Sequence, residues 1–106
     1  MDKNYIIVLV TTASKAEAEK ISEALLKEKI IACANIINPV TSFFNWQSKV
    51  DKCEECLVIM KSRKDLFVEL VERTKGLHSY EVPEVLTFPI VDGSRAYLEW
   101  LGSVLK

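Results

Sequence analysis

The stretch 30–48 contains no charged residue, and it constrains the fold more than any other feature of the sequence. Its β-branched and aromatic side chains predict a strand over Ile31–Ile37 that is interrupted at Asn38-Pro39 and resumes over Val40–Trp46. Because proline has no N–H to donate to a ladder, we expect a bulge there and a place for this strand at the sheet edge. A three-residue turn then leads into a strand over about Val50–Lys61, which makes a long antiparallel hairpin.

Three helices and two further strands are predicted around this hairpin. Ser14 followed by Glu17 forms a capping box at the start of the first helix, and Ser62 with Asp65 forms a weaker one at the second. Gly76 is placed where a left-handed C-cap would end the second helix. The unbroken apolar run of the first strand is typical of a strand that is covered on both faces. These elements are strands over Tyr5–Val10 and Val85–Ile90, and helices over about Lys15–Lys29, from about Lys64 to Gly76, and after Ser94 to about Leu105.

The resulting order is β-α-β-β-α-β-α over a single domain, residues 1–106. Short connections and one hairpin are typical of an α+β ferredoxin-like sandwich, in which a four-stranded antiparallel sheet carries helices on one face. The strand order is then 4-1-3-2, so the second and fourth strands form the edges. Because a long, uncharged edge strand invites pairing with another chain, this pattern predicts self-association.

Charge and cysteine content exclude several function classes. The chain has 14 basic and 15 acidic residues spread evenly along it, so it lacks the basic stripe of a nucleic-acid-binding protein. The longest apolar run, Tyr5–Val10, is too short to span a bilayer, and no signal peptide is evident. Three cysteines, an odd number, are typical of reduced thiols. We therefore expect a cytoplasmic protein without membrane or nucleic-acid partners.

Cys53 and Cys56 form a C-x-x-C motif, which in other contexts binds zinc or a soft metal or forms a redox pair. Both lie in a predicted strand, where positions i and i+3 point to opposite faces of the sheet. No helix N-terminus adjoins them to activate a thiol, and no second C-x-x-C pair completes a tetrahedral site. We therefore interpret Cys56 as a core residue, and a soft-metal carrier that uses Cys53 and Cys56 is kept as an alternative.

The segment His78–Glu84 has no regular period and places polar groups between a helix and a strand, where binding sites commonly lie. A proline in this loop fixes its own φ and keeps the preceding residue extended, so the loop is rigid. His78 is the chain's only histidine and can join a mixed metal site with Cys33, Glu81 or Glu84. Two alternatives are a histidine that meets the dipole at a helix C-terminus and an enzyme in which His78 acts as general base with Glu84. Nothing in the residues alone requires an enzyme.

Five motifs, in the right order, resemble those of the CutA divalent-cation-tolerance family over nearly the whole chain. The most specific is His78-x-Tyr80-x-x-Pro83-Glu84, which is similar to the family signature H-P-Y-x-x-P-E except that Ser79 replaces the first proline. The others resemble, in chain order, A-C-x-N-I at Ala32–Ile36, W-W-x-G-K at Phe44–Val50, E-x-x-L-I-x-K-T at Glu55–Lys61 and Y-x-x-W-L at Tyr97–Leu101.

The resemblance implies a ferredoxin-like subunit that assembles into a cytoplasmic homotrimer with the architecture of the PII signalling proteins. It also implies a role in tolerance to copper and other divalent cations. Neither a reaction nor an obligatory cofactor is implied, so we expect no catalytic residue. Copper ligands proposed in some members correspond to Val10 and Leu77 here, and only His78 of that set remains.

From these motifs we predict a non-catalytic signalling module that binds copies of itself, and that binds a divalent metal ion or a small ligand in a cleft between subunits. The candidate metal ligands are His78 and Cys33, and copper stands highest in the affinity order of divalent ions. The residues predicted to line the ligand-binding cleft are His78, Tyr80, Glu84, Lys61 and Trp46.

Overall fold

A computed structural model describes residues 4–106, which form four strands and three α-helices in the predicted order. The strands are β1 (Tyr5–Thr12), β2 (Cys33–Trp46), β3 (Lys49–Arg63) and β4 (Val85–Pro89). The helices are α1 (Lys15–Lys27), α2 (Phe67–Leu77) and α3 (Arg95–Ser103), and a 3₁₀ turn over Lys64–Leu66 precedes α2.

The sheet has the order β2-β3-β1-β4 and every neighbouring pair is antiparallel, which confirms the ferredoxin-like α+β architecture and both predicted edges. β2 runs through the cis Asn38-Pro39 bond as one strand, and the predicted bulge is a register shift between Ile37 and Val40. The hairpin turn has two residues rather than three, because Gln47 and Ser48 adopt left-handed φ values of 51° and 65°. Such a turn matches the right-handed twist of the strands that it joins.

The inner face of the sheet packs under α1 and α2 and forms the main core. Residues of β1 alternate between buried and half-buried, so the expectation of a first strand covered on both faces is wrong. α1 and α2 cover only the inner face, whereas Tyr97 of α3 contacts Cys33 on the opposite face. The inner face consists of Ile6, Val8, Val10 and Thr12 of β1 and Cys56, Val58, Met60 and Ser62 of β3, and the helices bury Ala18, Ile21, Leu25, Leu70 and Thr74 against it.

The opposite side of the sheet, here called the outer face, carries an apolar row that remains half-buried or exposed. Leu86 and Phe88 of β4 are 55% and 45% exposed. The register brings side chains of all four strands together in this row. The apolar row of the outer face consists of Ile7, Leu9, Ile37, Leu57, Ile59, Leu86 and Phe88.

The two predicted capping boxes have different outcomes. The Ser14 side chain accepts a hydrogen bond from the Glu17 N–H, which confirms the first box. At the start of α3, the Ser94 side chain accepts from the Tyr97 N–H in the same way. Ser62 does not cap α2, because it is buried in β3 and donates its hydroxyl to the Ile30 carbonyl oxygen at 2.6 Å. The third strand therefore runs two residues past its predicted end.

Two helix ends also differ from the prediction. α1 ends at Lys27 rather than Lys29, because Lys29 adopts a left-handed φ of 59°. The left-handed cap predicted at Gly76 is absent from the described chain: Gly76 stays helical and α2 ends at Leu77. The chain leaves α2 through His78, whose backbone is extended, with φ −90° and ψ 145°. The extended backbone turns the loop towards the end of β1.

Candidate functional site

His78 fastens the loop that follows α2 to the end of strand β1. Its side chain is fully buried. The ring atom Nε2 lies 2.7 Å from the Thr11 carbonyl oxygen, and Nδ1 lies 3.0 Å from the Tyr80 backbone nitrogen. Because a carbonyl only accepts and a backbone N–H only donates, Nε2 carries the proton and Nδ1 accepts. The ring is therefore the neutral Nε2–H tautomer, not the charged histidine considered at the helix C-terminus.

Tyr80 continues this network from the loop to strand β3. Its ring lies against the His78 ring, with centroids 4.8 Å apart. Its hydroxyl donates to Glu55 Oε2 at 2.7 Å. Desolvation raises the pKa of Tyr80, and the hydrogen bond to the Glu55 carboxylate raises it further. Tyr80 is therefore a protonated hydrogen-bond donor throughout the physiological pH range.

Glu17 joins the same loop to the start of α1. Its carboxylate accepts the Ala13 N–H at 3.0 Å, which completes the capping box. The same carboxylate accepts the Ser79 N–H at 2.5 Å and the Ser79 hydroxyl at 3.1 Å, and it lies 3.7 Å from His78 Nδ1. Burial raises the pKa of Glu17, but the hydrogen bonds from Ala13 and Ser79 outweigh it, so that the pKa is lowered overall.

The structure brings together only part of the predicted ligand-binding cleft within one chain. His78 and Tyr80 are in contact, as predicted. Lys61 instead donates to Asn35 at 2.9 Å, in the middle of the sheet. Trp46 is 61% exposed at the hairpin end, and Glu84 is exposed in the loop. The cleft formed by all five residues stays a prediction.

Sequence reasoning missed the roles of Glu17 and Glu55 in this site. The sequence identifies Glu17 as a capping residue, but its second contact with Ser79 spans 62 positions. Glu55 is visible in the sequence only as part of a family-like strand motif. The spacing of Glu55 and Lys61 predicts that both lie on the same face of the strand. The sequence does not show that the loop with Tyr80 contacts Glu55, because that contact depends on tertiary packing.

The two candidate metal ligands belong to separate hydrogen-bond networks. The Cys33 sulfur lies 3.6 Å from the Tyr97 hydroxyl of α3. The His78 ring contacts Thr11 and Tyr80 at the end of β1. Within residues 4–106, no group of three or more His, Cys, Asp or Glu side chains is arranged to hold a metal ion. Metal binding by His78 and Cys33 therefore stays a prediction.

Cys53 and Cys56 occupy opposite faces of β3, as their spacing predicted. Cys56 is buried on the inner face and donates its thiol to Asn38 Oδ1 at 2.9 Å. Cys53 lies on the other side of the strand, half-buried opposite Ser42. Desolvation raises the pKa of Cys53, and the carboxylates of Glu55 and Asp51 raise it further. Since a soft metal binds thiolates, this arrangement disfavours the carrier hypothesis.

The described helices also bear on the expectation about membranes. None of the helices within residues 4–106 combines the length and the apolar character that crossing a bilayer requires.

Comparison with known proteins gives matches over nearly the whole chain. The family described as CutA1 divalent ion tolerance protein matches residues 6–104. The divalent-cation tolerance protein CutA of Thermus thermophilus is 42% identical over 95 residues, which cover 90% of this chain and 92% of that protein. The chloroplastic protein CutA of Arabidopsis thaliana is 40% identical, over 91% of this chain and 53% of the longer plant protein.

Solved structures agree with these sequence matches. The crystal structure of CutA1 from Oryza sativa superimposes with a TM-score of 0.95 at 37% identity, covering 97% of this chain and 94% of that one. The structure of the divalent cation tolerance protein from Thermus thermophilus gives a TM-score of 0.94 at 39% identity, covering 96% and 99%. The fold is thus shared over 96–97% of this chain, and the family match spans residues 6–104.

Proposed function

The chain belongs to the CutA1 divalent ion tolerance family, and from this premise we propose that it acts in divalent cation tolerance as a homotrimer. Each trimer binds a metal ion or a small ligand between subunits and carries out no catalysis. The observation that carries this proposal is the uncovered outer face of the sheet. The number of subunits rests on the family resemblance.

The shape of a single chain supports assembly. Its accessible surface is 6830 Å², whereas a folded monomer of 12.0 kDa is expected to expose about 6,000 Å². Its radius of gyration is 14.5 Å, against about 13 Å for a compact domain of this length. A chain that leaves so much apolar surface uncovered gains stability by covering it with further copies.

The hairpin supplies the second argument for assembly. β2 is an edge strand, and near its end Phe43 and Trp46 are 69% and 61% exposed. An exposed apolar edge is an aggregation hazard unless another chain covers it. A cyclic assembly in which each hairpin packs on the next subunit covers these side chains and leaves no open end.

The position of the cleft residues supports a ligand site between subunits. His78 and Tyr80 are in contact, whereas Lys61 binds Asn35 and both Trp46 and Glu84 are exposed. A second copy is needed to complete the set. A carboxylate, an ammonium group and a phenol suit a small polar ligand, and carboxylates also suit a divalent ion, of which copper has the highest expected affinity.

The absence of catalysis is part of the proposal. Both His78 ring nitrogens are occupied by backbone groups, so the ring is not poised to accept a proton from a substrate. Glu84 has no hydrogen bond to His78 among residues 4–106, so the acid–base pair considered from the sequence is not assembled within one chain.

Native mass spectrometry of the intact protein tests the assembly and the ligand together. The expected species is three times 12.0 kDa, about 36 kDa, and it gains mass when Cu(II) is added. We expect Trp46→Ala to weaken the trimer, whereas Glu23→Ala, on the exposed side of α1, leaves it intact. A stable 12.0 kDa species at micromolar concentration would contradict the assembly, and a trimer that takes up no Cu(II) would contradict the metal ligand.

We also propose a cytoplasmic location, which the cysteines support. Cys33, Cys53 and Cys56 are all free thiols in the structure. The Arabidopsis relative is named chloroplastic, and that name describes the plant protein alone. Fluorescence microscopy of a fusion protein in the native host, together with thiol titration of the freshly isolated and unfolded chain, tests this. Three reactive thiols in a cytoplasmic protein are expected, and an oxidised chain or an exported fusion would contradict the proposal.

A further inference from the structure

The hydrogen bonds of His78 determine what this residue can do. A metal ion needs the lone pair of a ring nitrogen, and the structure leaves neither available. The Tyr80 N–H occupies Nδ1, and Nε2 holds the proton that it donates to Thr11. The ring is also fully buried. Coordination at either nitrogen would require breaking a backbone hydrogen bond and opening the loop.

The neighbours of His78 do not supply the rest of a metal site. The copper ligands implied by the family resemblance correspond to Val10 and Leu77, whose side chains offer no donor atom. The nearby carboxylate, Glu17, already accepts three hydrogen bonds from Ala13 and Ser79. The residues present around His78 therefore do not fit a copper ion.

The geometry of Glu17 explains what keeps the loop in this conformation. We propose that Glu17 is a positioning residue that latches Ser79 to the start of α1, and so holds His78 as a clamp on the backbone rather than as a metal ligand. This inference rests on the proposed function, because the latched loop is the one that presents Tyr80 to the proposed cleft.

Ser79 supplies both donors of the latch. It gives the Glu17 carboxylate two donors, its N–H and its hydroxyl. The family signature has proline at this position, and proline has neither donor. The carboxylate is ionised at neutral pH, since its pKa is lowered, and hydrogen bonds to a charged acceptor are stronger than neutral ones.

Ser79 and Tyr80 are neighbours in the chain, so the latch at Ser79 also fixes the backbone of Tyr80. Fixing Ser79 fixes the neighbouring Tyr80 N–H, which in turn donates to His78 Nδ1. The same backbone position sets the Tyr80 ring on His78 and its hydroxyl on Glu55. A loosened latch is therefore expected to release the Tyr80 hydroxyl from its place beside the sheet.

Amide hydrogen exchange of the full chain at neutral pH, followed by NMR, tests the latch. Glu17→Gln leaves one acceptor oxygen, and we expect the Ser79 and Tyr80 amides to exchange about tenfold faster. Glu19→Gln, an exposed position of the same helix with the same charge change, is the matched control. The Val8 amide in the central strand reports any global loss of stability. Equal Ser79 and Tyr80 rates in the two variants would overturn the proposal.

Ser79→Ala is the second variant, because it leaves the α1 cap intact. It keeps the N–H bond and loses the hydroxyl bond to Glu17, so a smaller increase in exchange is expected at the same two amides. An unchanged rate at both positions would count against the latch even if Glu17→Gln destabilised α1.

Nitrogen-15 spectra of the imidazole test the clamp directly. We expect the Nε2–H tautomer of His78 in the wild type, unchanged when Zn(II) is added as a diamagnetic probe. A metal-induced shift at either ring nitrogen would overturn the clamp. The exchange rates and nitrogen-15 spectra report on contacts within each subunit. Native mass spectrometry alone tests the trimer, so the latch and the trimer can fail separately.

Discussion

Both faces of the sheet carry apolar side chains, but α1 and α2 cover only the inner face. On the inner face Val8 and Val58 are fully buried, because α1 and α2 lie over them. On the outer face Leu86 and Phe88 are equally apolar and remain about half exposed. Hydrophobicity alone therefore does not say whether a side chain stabilises the subunit or an assembly. The elements that pack over each face make that distinction.

The largest effect is expected from a truncation on the covered side. Leu70→Ala removes a fully buried side chain of α2 from the core, and we expect a loss of about 2–5 kcal/mol in the free energy of unfolding. Urea denaturation at fixed protein concentration measures it. A loss below about 1 kcal/mol would mean that the inner core tolerates a cavity, contrary to its packing.

A charge on the uncovered side is expected to affect assembly instead. Phe88→Asp should raise the dissociation constant of the subunits by about tenfold or more, because it places a carboxylate in a surface that the proposed assembly buries. Sedimentation measures this, while circular dichroism checks that the subunit fold is retained. Val68→Asp, on an exposed position of α2, is the matched control. Equal behaviour of the two variants would remove the outer face from the interface.

Cys56 and Cys53 allow the inner and outer faces to be compared within a single strand, β3. Cys56→Ala creates a small cavity on the inner face and leaves the Asn38 side chain without its thiol partner, so we expect a loss of about 1–2 kcal/mol. Cys53→Ala, on the other side of the strand, should change the unfolding free energy of the subunit by less than about 0.5 kcal/mol. Thermal unfolding of both variants provides the test, and a reversed order would contradict the assignment of faces.

The smallest effect is expected where α1 meets α2 at the edge of the covering layer. Arg73 binds the Glu28 carboxylate at 2.8 and 2.6 Å, and this hydrogen-bonded pair lowers the pKa of Glu28. Because the pKa of Glu28 is lowered in the folded state, the pair stabilises the fold fully above the ordinary pKa of 4.5. This stabilisation is lost as the pH falls through the folded-state pKa of Glu28. Glu28→Gln should therefore flatten the dependence of the urea midpoint on pH below 4.5. Identical profiles for wild type and variant would show that the pair contributes nothing.

Much of the fold follows from short-range patterns. The Ser14–Glu17 box marks the start of α1, and two long strands around a short turn predict the hairpin. Some predictions from local patterns were wrong, and in one case a residue far away in the sequence binds the predicted capping group. Ser62 resembles a cap in sequence, but the Ile30 carbonyl, on a separate segment, takes its hydroxyl. Gly76 has the residue type of a C-cap, but it stays within the helix.

The site was only partly predictable for the same reason. The loop that contains His78 and Tyr80 is visible in the sequence because its polar residues lack a regular period and include a proline. The protonation of the His78 ring is not visible, since it depends on Thr11, 67 positions away. The role of Glu55 likewise depends on a contact across 25 positions.

Order and type of the elements are local properties, because periods of 2 and 3.6 residues, capping side chains and turn residues act over a few positions. The unbroken apolar run in β1 also determines that apolar side chains lie on both faces of the sheet. Which face α1 and α2 cover, which hydroxyls and carboxylates meet, and which apolar residues stay uncovered depend on register and packing between distant segments. Those contacts form only when the chain has folded, because each one pairs or desolvates polar groups that a short segment cannot bring together.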